Sequence, residues 1–229
     1  MAYTFLDQQN KLSELLGDPN TTTSDMFPSA IRMKELNRGE WQFSVDARDL
    51  KEYVTGTVAS NQVAVPADFV SLYVLIIVTT TSQIVINAND EISLKDWERY
   101  YLYASNRPKF YIWDFSGTKQ INLIGQSQNG QTYKMYYFKK PTTELSANTD
   151  VSLHREEFRE ASAFYAASQL MQQIGKYTQA TQMREQYQMY VDRAYEFQKE
   201  EYIDADRSVP DFGVNPSVLT DVQGRGYIE

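Results

Sequence analysis

The chain holds a single histidine, His154, and no cysteine. A multi-histidine metal site has no second imidazole to draw on, and disulfides, thiolate nucleophiles and cysteine-ligated metals are excluded outright. His154 stands beside Arg155 at the expected start of a helix, which makes it a surface residue near a helix end. Oxygen donors cluster at Asn87, Asn89, Asp90 and Glu91, a set that calcium would accept. The EF-hand order with its central glycine is absent, so these residues are expected to build a turn and a helix cap. Glu156, Glu157 and Glu160, or Glu200 and Glu201, are carboxylates of the kind that glycoside hydrolysis uses in pairs. The first group falls in the first turn of an expected helix, where carboxylates complement the dipole; the second lies among Gln198 and Lys199 on a solvated face. Gly224-Arg225-Gly226 lacks the length and the strand-to-helix setting of a phosphate-binding loop. Tyr100-Tyr101-Tyr103 and Phe110-Tyr111-Trp113 could stack sugars or bases, but strand and helix cores consume such residues routinely. No catalytic residue, cofactor or metal site is expected, and the protein reads as a non-enzyme.

The 229 residues include 42% hydrophobic types, with 17 tyrosines and 11 phenylalanines. That is enough apolar surface to offset the entropy of folding. The net charge of -8 opposes tight contact with phosphate backbones. An acidic wall around a channel is the exception, because like-charge repulsion lets DNA slide past without specific binding. Met1 to Lys11 shows no basic region followed by a long apolar stretch, so no secretory signal is expected. The longest apolar run, Val70 to Val78, is about half of a membrane helix, and no membrane association is expected.

The elements follow from spacing. Leu6, Leu12, Leu15 and Leu16 share roughly one face of a first helix that Gly17 and Asp18-Pro19 stop. Pro28 opens a second helix carrying Ile31, Met33 and Leu36 and ending near Asn37-Arg38-Gly39. Strands then take over: Tyr53 to Val58, Val63 to Val65, Val70 to Thr81, and Gln83 to Asn87. Ser93 is placed to cap a brief helix through Trp97 and Tyr101. Lys109 to Trp113, Ile121 to Ile124 and Thr132 to Phe138 continue as a meander, whose last hairpin turns at Asn129-Gly130. Ser152 to Ile174 reads as one long helix with Phe158, Ala161, Tyr165 and Leu170, and after Gly175 a second runs from Lys176 to Ile203.

The fold class is therefore α+β: a helical body with an inserted antiparallel β domain and an extended C-terminal arm. The expected boundaries are 1–50 for the N-terminal helical part, 51–148 for the β domain, 149–203 for the long helices packing on the N-terminal part, and 204–229 for the arm.

Three stretches resemble the head-to-tail adaptor proteins of tailed bacteriophages. Val63-Ala64-Val65-Pro66-Ala67-Asp68-Phe69 is similar to the family's strand ending in Leu-Pro-x-Asp-Phe, with Val65 where leucine is usual. Asn106-Arg107-Pro108-Lys109-Phe110-Tyr111 is similar to its Gly-x-Pro-x-x-Tyr strand opening, with Ser105-Asn106 replacing the glycine. Tyr133 to Pro141 is similar to its Tyr-rich closing strand before proline. The resemblance implies a ring of twelve copies beneath the portal protein, with a downstream tail or neck protein below. It implies synthesis in the host cytoplasm and a place at the head-tail junction of the virion. Another neck or tail-completion protein is an alternative, as is a carbohydrate-binding or hydrolytic module on the β part.

The resemblance implies that the arm grips the portal. Ordering such a segment costs about 1–2 kcal/mol per residue. Burying Phe212, Val214, Val218, Leu219 and Tyr227 returns about 1.5–3 kcal/mol each, so a template must supply backbone hydrogen bonds as well. Pro210 and Pro216 reduce the cost by restricting the free chain.

Overall fold

The computed structural model describes residues 3–18, 26–80, 82–93, 109–113, 119–125 and 127–207. Four helices and seven strands lie within them. Helix α1 (Phe5–Leu16) starts at Thr4, whose side chain and backbone exchange hydrogen bonds with Asp7 in a capping box, and stops at Gly17 in the left-handed region (φ 65). Its buried face is Phe5, Leu12 and Leu16, whereas Leu6 is exposed. Phe5 therefore takes the core position that the leucine pattern assigned to Leu6.

Helix α2 (Ser29–Ala47) runs well past the expected stop at Asn37-Arg38-Gly39. Gly39 is not a terminator but a contact: a Cβ there would lie 2.6 Å from the Ser162 carbonyl oxygen. The helix ends instead at Arg48, which itself adopts a left-handed conformation (φ 52). Ile31 is exposed, and its neighbour Arg32 is buried. The Arg32 guanidinium donates to the carbonyls of Phe27 (2.8 Å) and Asp18 (3.1 Å), to Ser13 Oγ (2.9 Å) and to the Asp18 carboxylate, and so ties α2 to the end of α1.

Helix α3 (Ala161–Gln173) is shorter than the helix expected from Ser152, because 152–160 form turns, where Ser152 and His154 are buried, and a 3-10 stretch (Glu156–Phe158). Its alanines and serines let α1 and α2 approach closely. Gly175 (φ 76) then reverses the chain into α4 (Tyr177–Arg207), which folds back on α3 as a helical hairpin. The helix runs four residues past Ile203; no proline or glycine intervenes before Pro210. Residues 204–207, expected in the arm, are thus helical.

The strands are β1 (Lys51–Thr57), β2 (Gln62–Ala64), β3 (Phe69–Val78), β4 (Gln83–Asn87), β5 (Lys109–Trp113), β6 (Gln120–Ile124) and β7 (Thr132–Lys139). They form two antiparallel sheets, ordered β1-β7-β3-β4 and β2-β6-β5. The expected meander is corrected here: β6 and β7 belong to different sheets and do not form a hairpin. The reason lies at Ser60-Asn61, both with positive φ (53 and 56), which make the tight turn between Ala59 and Gln62. Asn61 Oδ1 accepts from Gln128 N (2.9 Å), Asn61 N donates to Asn129 Oδ1 (2.6 Å), and Gly130 N donates to Val58 O (3.0 Å). The 127–131 segment is thereby docked on the β1–β2 turn instead of folding back on β6. Both sheets share one core, including Leu75, Ile77 and Met135 from the first and Val63, Phe110 and Ile121 from the second. The expected short helix after Ser93 lies outside the described residues.

Candidate functional site

The expected arm residues Pro210, Phe212, Val214, Pro216, Val218, Leu219 and Tyr227 lie outside the described residues, as do Tyr100, Tyr101, Tyr103 and the Gly224-Arg225-Gly226 segment. Phe110 is wholly buried in the β core, where it contributes packing. Asn87 and Asp90 form a reciprocal capping box around the 3-10 turn Ala88–Asp90, and Asp90 pairs with Lys109 at 3.0 Å. The cluster thus closes a turn, as its residue types suggest. Glu156 and Glu157 are exposed, and Glu160 accepts a hydrogen bond from Tyr190 (3.2 Å). Among the described residues no three His, Asp or Glu side chains are placed to hold a metal ion.

His154 is where the sequence reading fails most. It is 1% exposed, not a surface residue. Nδ1 is 2.7 Å from an Asp49 carboxylate oxygen, and Nε2 is 3.0 Å from the Glu40 carbonyl oxygen. With an acceptor on each nitrogen, the ring is satisfied only as the doubly protonated imidazolium. Burial pushes the imidazole pKa down, but the Asp49 hydrogen bond and charge, with the Glu40 charge behind them, outweigh it and hold the pKa above its ordinary value. The Phe43 ring meets the imidazole edge-on at 5.0 Å.

The network continues through Glu40, whose carboxylate accepts from Gln8 Nε2 (2.7 Å) and from the Ser152 hydroxyl. Arg159 Nε donates to the His154 carbonyl (2.9 Å), and Gln8 Nε2 reaches the Arg159 carbonyl (3.1 Å). Although serine, histidine and aspartate all occur here, Ser152 donates to Glu40 and its Oγ accepts from the His154 backbone N–H (3.1 Å), so no ring nitrogen activates it. These are fastenings between α1, α2 and the segment before α3. The sequence signal for them is weak, because isolated polar residues on helix faces ordinarily point to solvent.

Among the described residues a groove lies between α2 and the chain leaving β7, with a volume near 370 Å³. Lys34, Arg38 and Trp41 line one wall; Pro141, Leu145 and Leu153 line the other. Asn37 fixes that second wall by donating to the Leu145 carbonyl (2.9 Å) and accepting from the Leu145 N–H (2.7 Å). Lys140 Nζ sits 5.8 Å from the Trp41 ring centroid. Exposed apolar side chains also occur along α4, at Tyr177, Met189 and Tyr195. The arrangement is one of contact surfaces around closed interiors.

Residues 3–210 match the SU10 adaptor protein family. The chain belongs to that family. No curated protein matches it. The match spans both the helices and the two sheets, and it makes the protein a bacteriophage adaptor and a structural component of the virion. An adaptor's role implies contact with portal and tail proteins. No described helix of this adaptor is long and apolar enough to cross a membrane.

Proposed function

We propose that the protein assembles as a dodecameric ring between portal and tail, extends the DNA channel, and grips the portal through the segment that follows α4. The observation that carries this reading is the family match over residues 3–210, which takes in every described element. The net charge of -8 supports it, since an acidic lining repels DNA and lets it pass without specific binding. In this reading the β part, 51–148, is an inserted domain carried by the helical body, and Pro210, Phe212, Val214, Pro216, Val218, Leu219 and Tyr227 are the anchor residues of the arm. In a ring each arm is tethered beside its site, so one docking event raises the effective concentration for the next and modest single contacts suffice.

The test is to mix the purified chain with its portal and image the product by negative stain, with sedimentation velocity on the same sample. A ring seated on the portal is expected. A chain that stays apart from the portal overturns the reading. Ending the chain after Arg207 keeps α4 entire and isolates the arm: portal binding is expected to fall while the circular dichroism of the helices is retained. Unchanged binding removes the arm from the proposal.

A further inference from the structure

Strand β1 ends its sheet, and β7 is its one strand partner among the described residues. The hydrogen-bond parity of the pair says which backbone groups are used. Lys139 N donates to Leu50 O and Val58 N donates to Gln131 O, each at 2.9 Å. Both fall in the same unbroken register as the strand itself, so the even-numbered residues between them, Glu52, Val54 and Gly56, bond to β7. Tyr53, Thr55 and Thr57 turn their N–H and C=O groups the other way, off the edge of the sheet.

Exposed edges are ordinarily blunted by charged side chains, by proline, by bulges or by shortness. β1 carries charge only at its first two residues, Lys51 and Glu52, and has none of the other devices. It contains no proline, keeps one register over seven residues, and carries Tyr53, Val54, Thr55 and Thr57, types that favour strands. Its side chains are exposed or half-buried throughout, with Tyr53 61% exposed. An edge this regular is built to receive an extended chain.

The chain carries a segment of the right length. Between Pro216 and Gly224, residues Ser217 to Gln223 run without proline or glycine for seven residues, the length of β1, with β-branched Val218, Thr220 and Val222 at alternate positions. The route passes near the start of β1: Gln198 Nε2 of α4 donates to the carbonyls of Ala47 (2.7 Å) and Arg48 (3.0 Å), four and three residues before β1 begins. Arg207 lies nine helical residues, about 14 Å, beyond that contact, and residues 208–216 span up to about 30 Å at about 3.3 Å each, enough to return over that distance.

The geometry points to the Ser217–Gln223 segment as an added strand on the β1 edge in the free protein, within one chain or between neighbouring copies. The pairing gives the segment a template of backbone groups and covers the edge until another partner displaces it. It does not rest on the ring or the portal, since it is a property of the chain alone.

Amide hydrogen exchange by NMR on the full chain tests it. Tyr53, Thr55 and Thr57 are expected to be protected along with Val54 and Gly56, whose amides face β7. In full-length Thr220→Pro the first three are expected to exchange about tenfold faster or more while the latter two keep their protection. Fast exchange at Tyr53, Thr55 and Thr57 in the unsubstituted chain overturns the proposal. A second measurement exploits the absence of native cysteine: Thr55→Cys is combined in turn with Val218→Cys, Thr220→Cys and Val222→Cys under mild oxidation. A disulfide within one chain or between two chains supports the pairing, and the absence of any disulfide in all three combinations overturns it. Neither readout involves the portal, so failure here leaves the adaptor-ring reading to its own test.

Discussion

His154 and Asp49 meet at 2.7 Å, and they come from the two stretches of chain that join the helices to the sheets. Asp49 lies between α2 and β1; His154 lies between β7 and α3. One buried ion pair therefore fastens the outgoing and returning crossings together. Glu40 and Ser152 repeat the fastening alongside it, and Lys139 N bonds Leu50 O across the same junction. The buried apolar clusters of the sheets and of the helices are separate, so this polar joint is a direct tie between the two parts.

Removing one partner of a buried pair strands the other. His154→Ala and Asp49→Ala are each expected to cost about 3–5 kcal/mol, measured by urea denaturation, because each leaves an uncompensated buried charge or empty polar contact. A double variant is expected to cost less than the sum of the two singles. Additive losses would mean that the residues act separately.

The joint also carries a pH signature. The folded His154 pKa is raised above the ordinary value near 6.5, so the folded state binds the proton more tightly than the unfolded chain. The stabilisation is complete below about pH 6.5 and is lost as pH rises through the folded value. Thermal midpoints across pH 6 to 10 are expected to decline on the alkaline side for the native chain, and His154→Gln is expected to flatten that part of the profile. Parallel profiles would remove the imidazolium from the account.

Gly39→Ala tests the contact between α2 and α3. Alanine is the better helix former by about 1 kcal/mol, so an open site would gain stability. Here the new Cβ would meet the Ser162 carbonyl oxygen at 2.6 Å and Ser162 Cα at 2.9 Å, both backbone atoms that no rotamer can move. A net loss of about 1–3 kcal/mol in chemical denaturation is expected. A gain would show that the helices are able to separate at no cost.

The same glycine shows what was legible in the sequence. Gly17 and Gly175 end helices by local backbone conformation, with φ of 65 and 76, and reading them needs only their neighbours. Gly39 is placed by Ser162, a residue far along the chain, and no local rule contains that information. Strand positions were legible for a similar reason, since β-branched density is local, but the separation of β6 and β7 into different sheets was not: the segment between them is held by Asn61 bonding to Gln128 and Asn129. Arg32, Glu40 and His154 were missed because polar types on helix faces suggest solvent, and their burial is permitted only by partners drawn from other segments. The short helix expected after Ser93 and the seven expected arm anchors lie outside the described residues.

Asn61 combines a turn conformation with a tether, and two substitutions separate them. Its φ of 56 favours asparagine or glycine, and its Oδ1 accepts from Gln128 N at 2.9 Å. Asn61→Gly keeps the conformation and loses the acceptor, which is expected to cost about 1 kcal/mol. Asn61→Ala loses the acceptor and adds left-handed strain, for about 1–2 kcal/mol more. Both are expected to speed amide exchange at Gln128, because the 127–131 segment is held away from β6 by this contact. Equal stabilities for the two variants would show that the backbone conformation at Asn61 carries no strain; unchanged exchange at Gln128 would show that the backbone contacts kept in both variants, Asn61 N to Asn129 Oδ1 and Gly130 N to Val58 O, hold the segment.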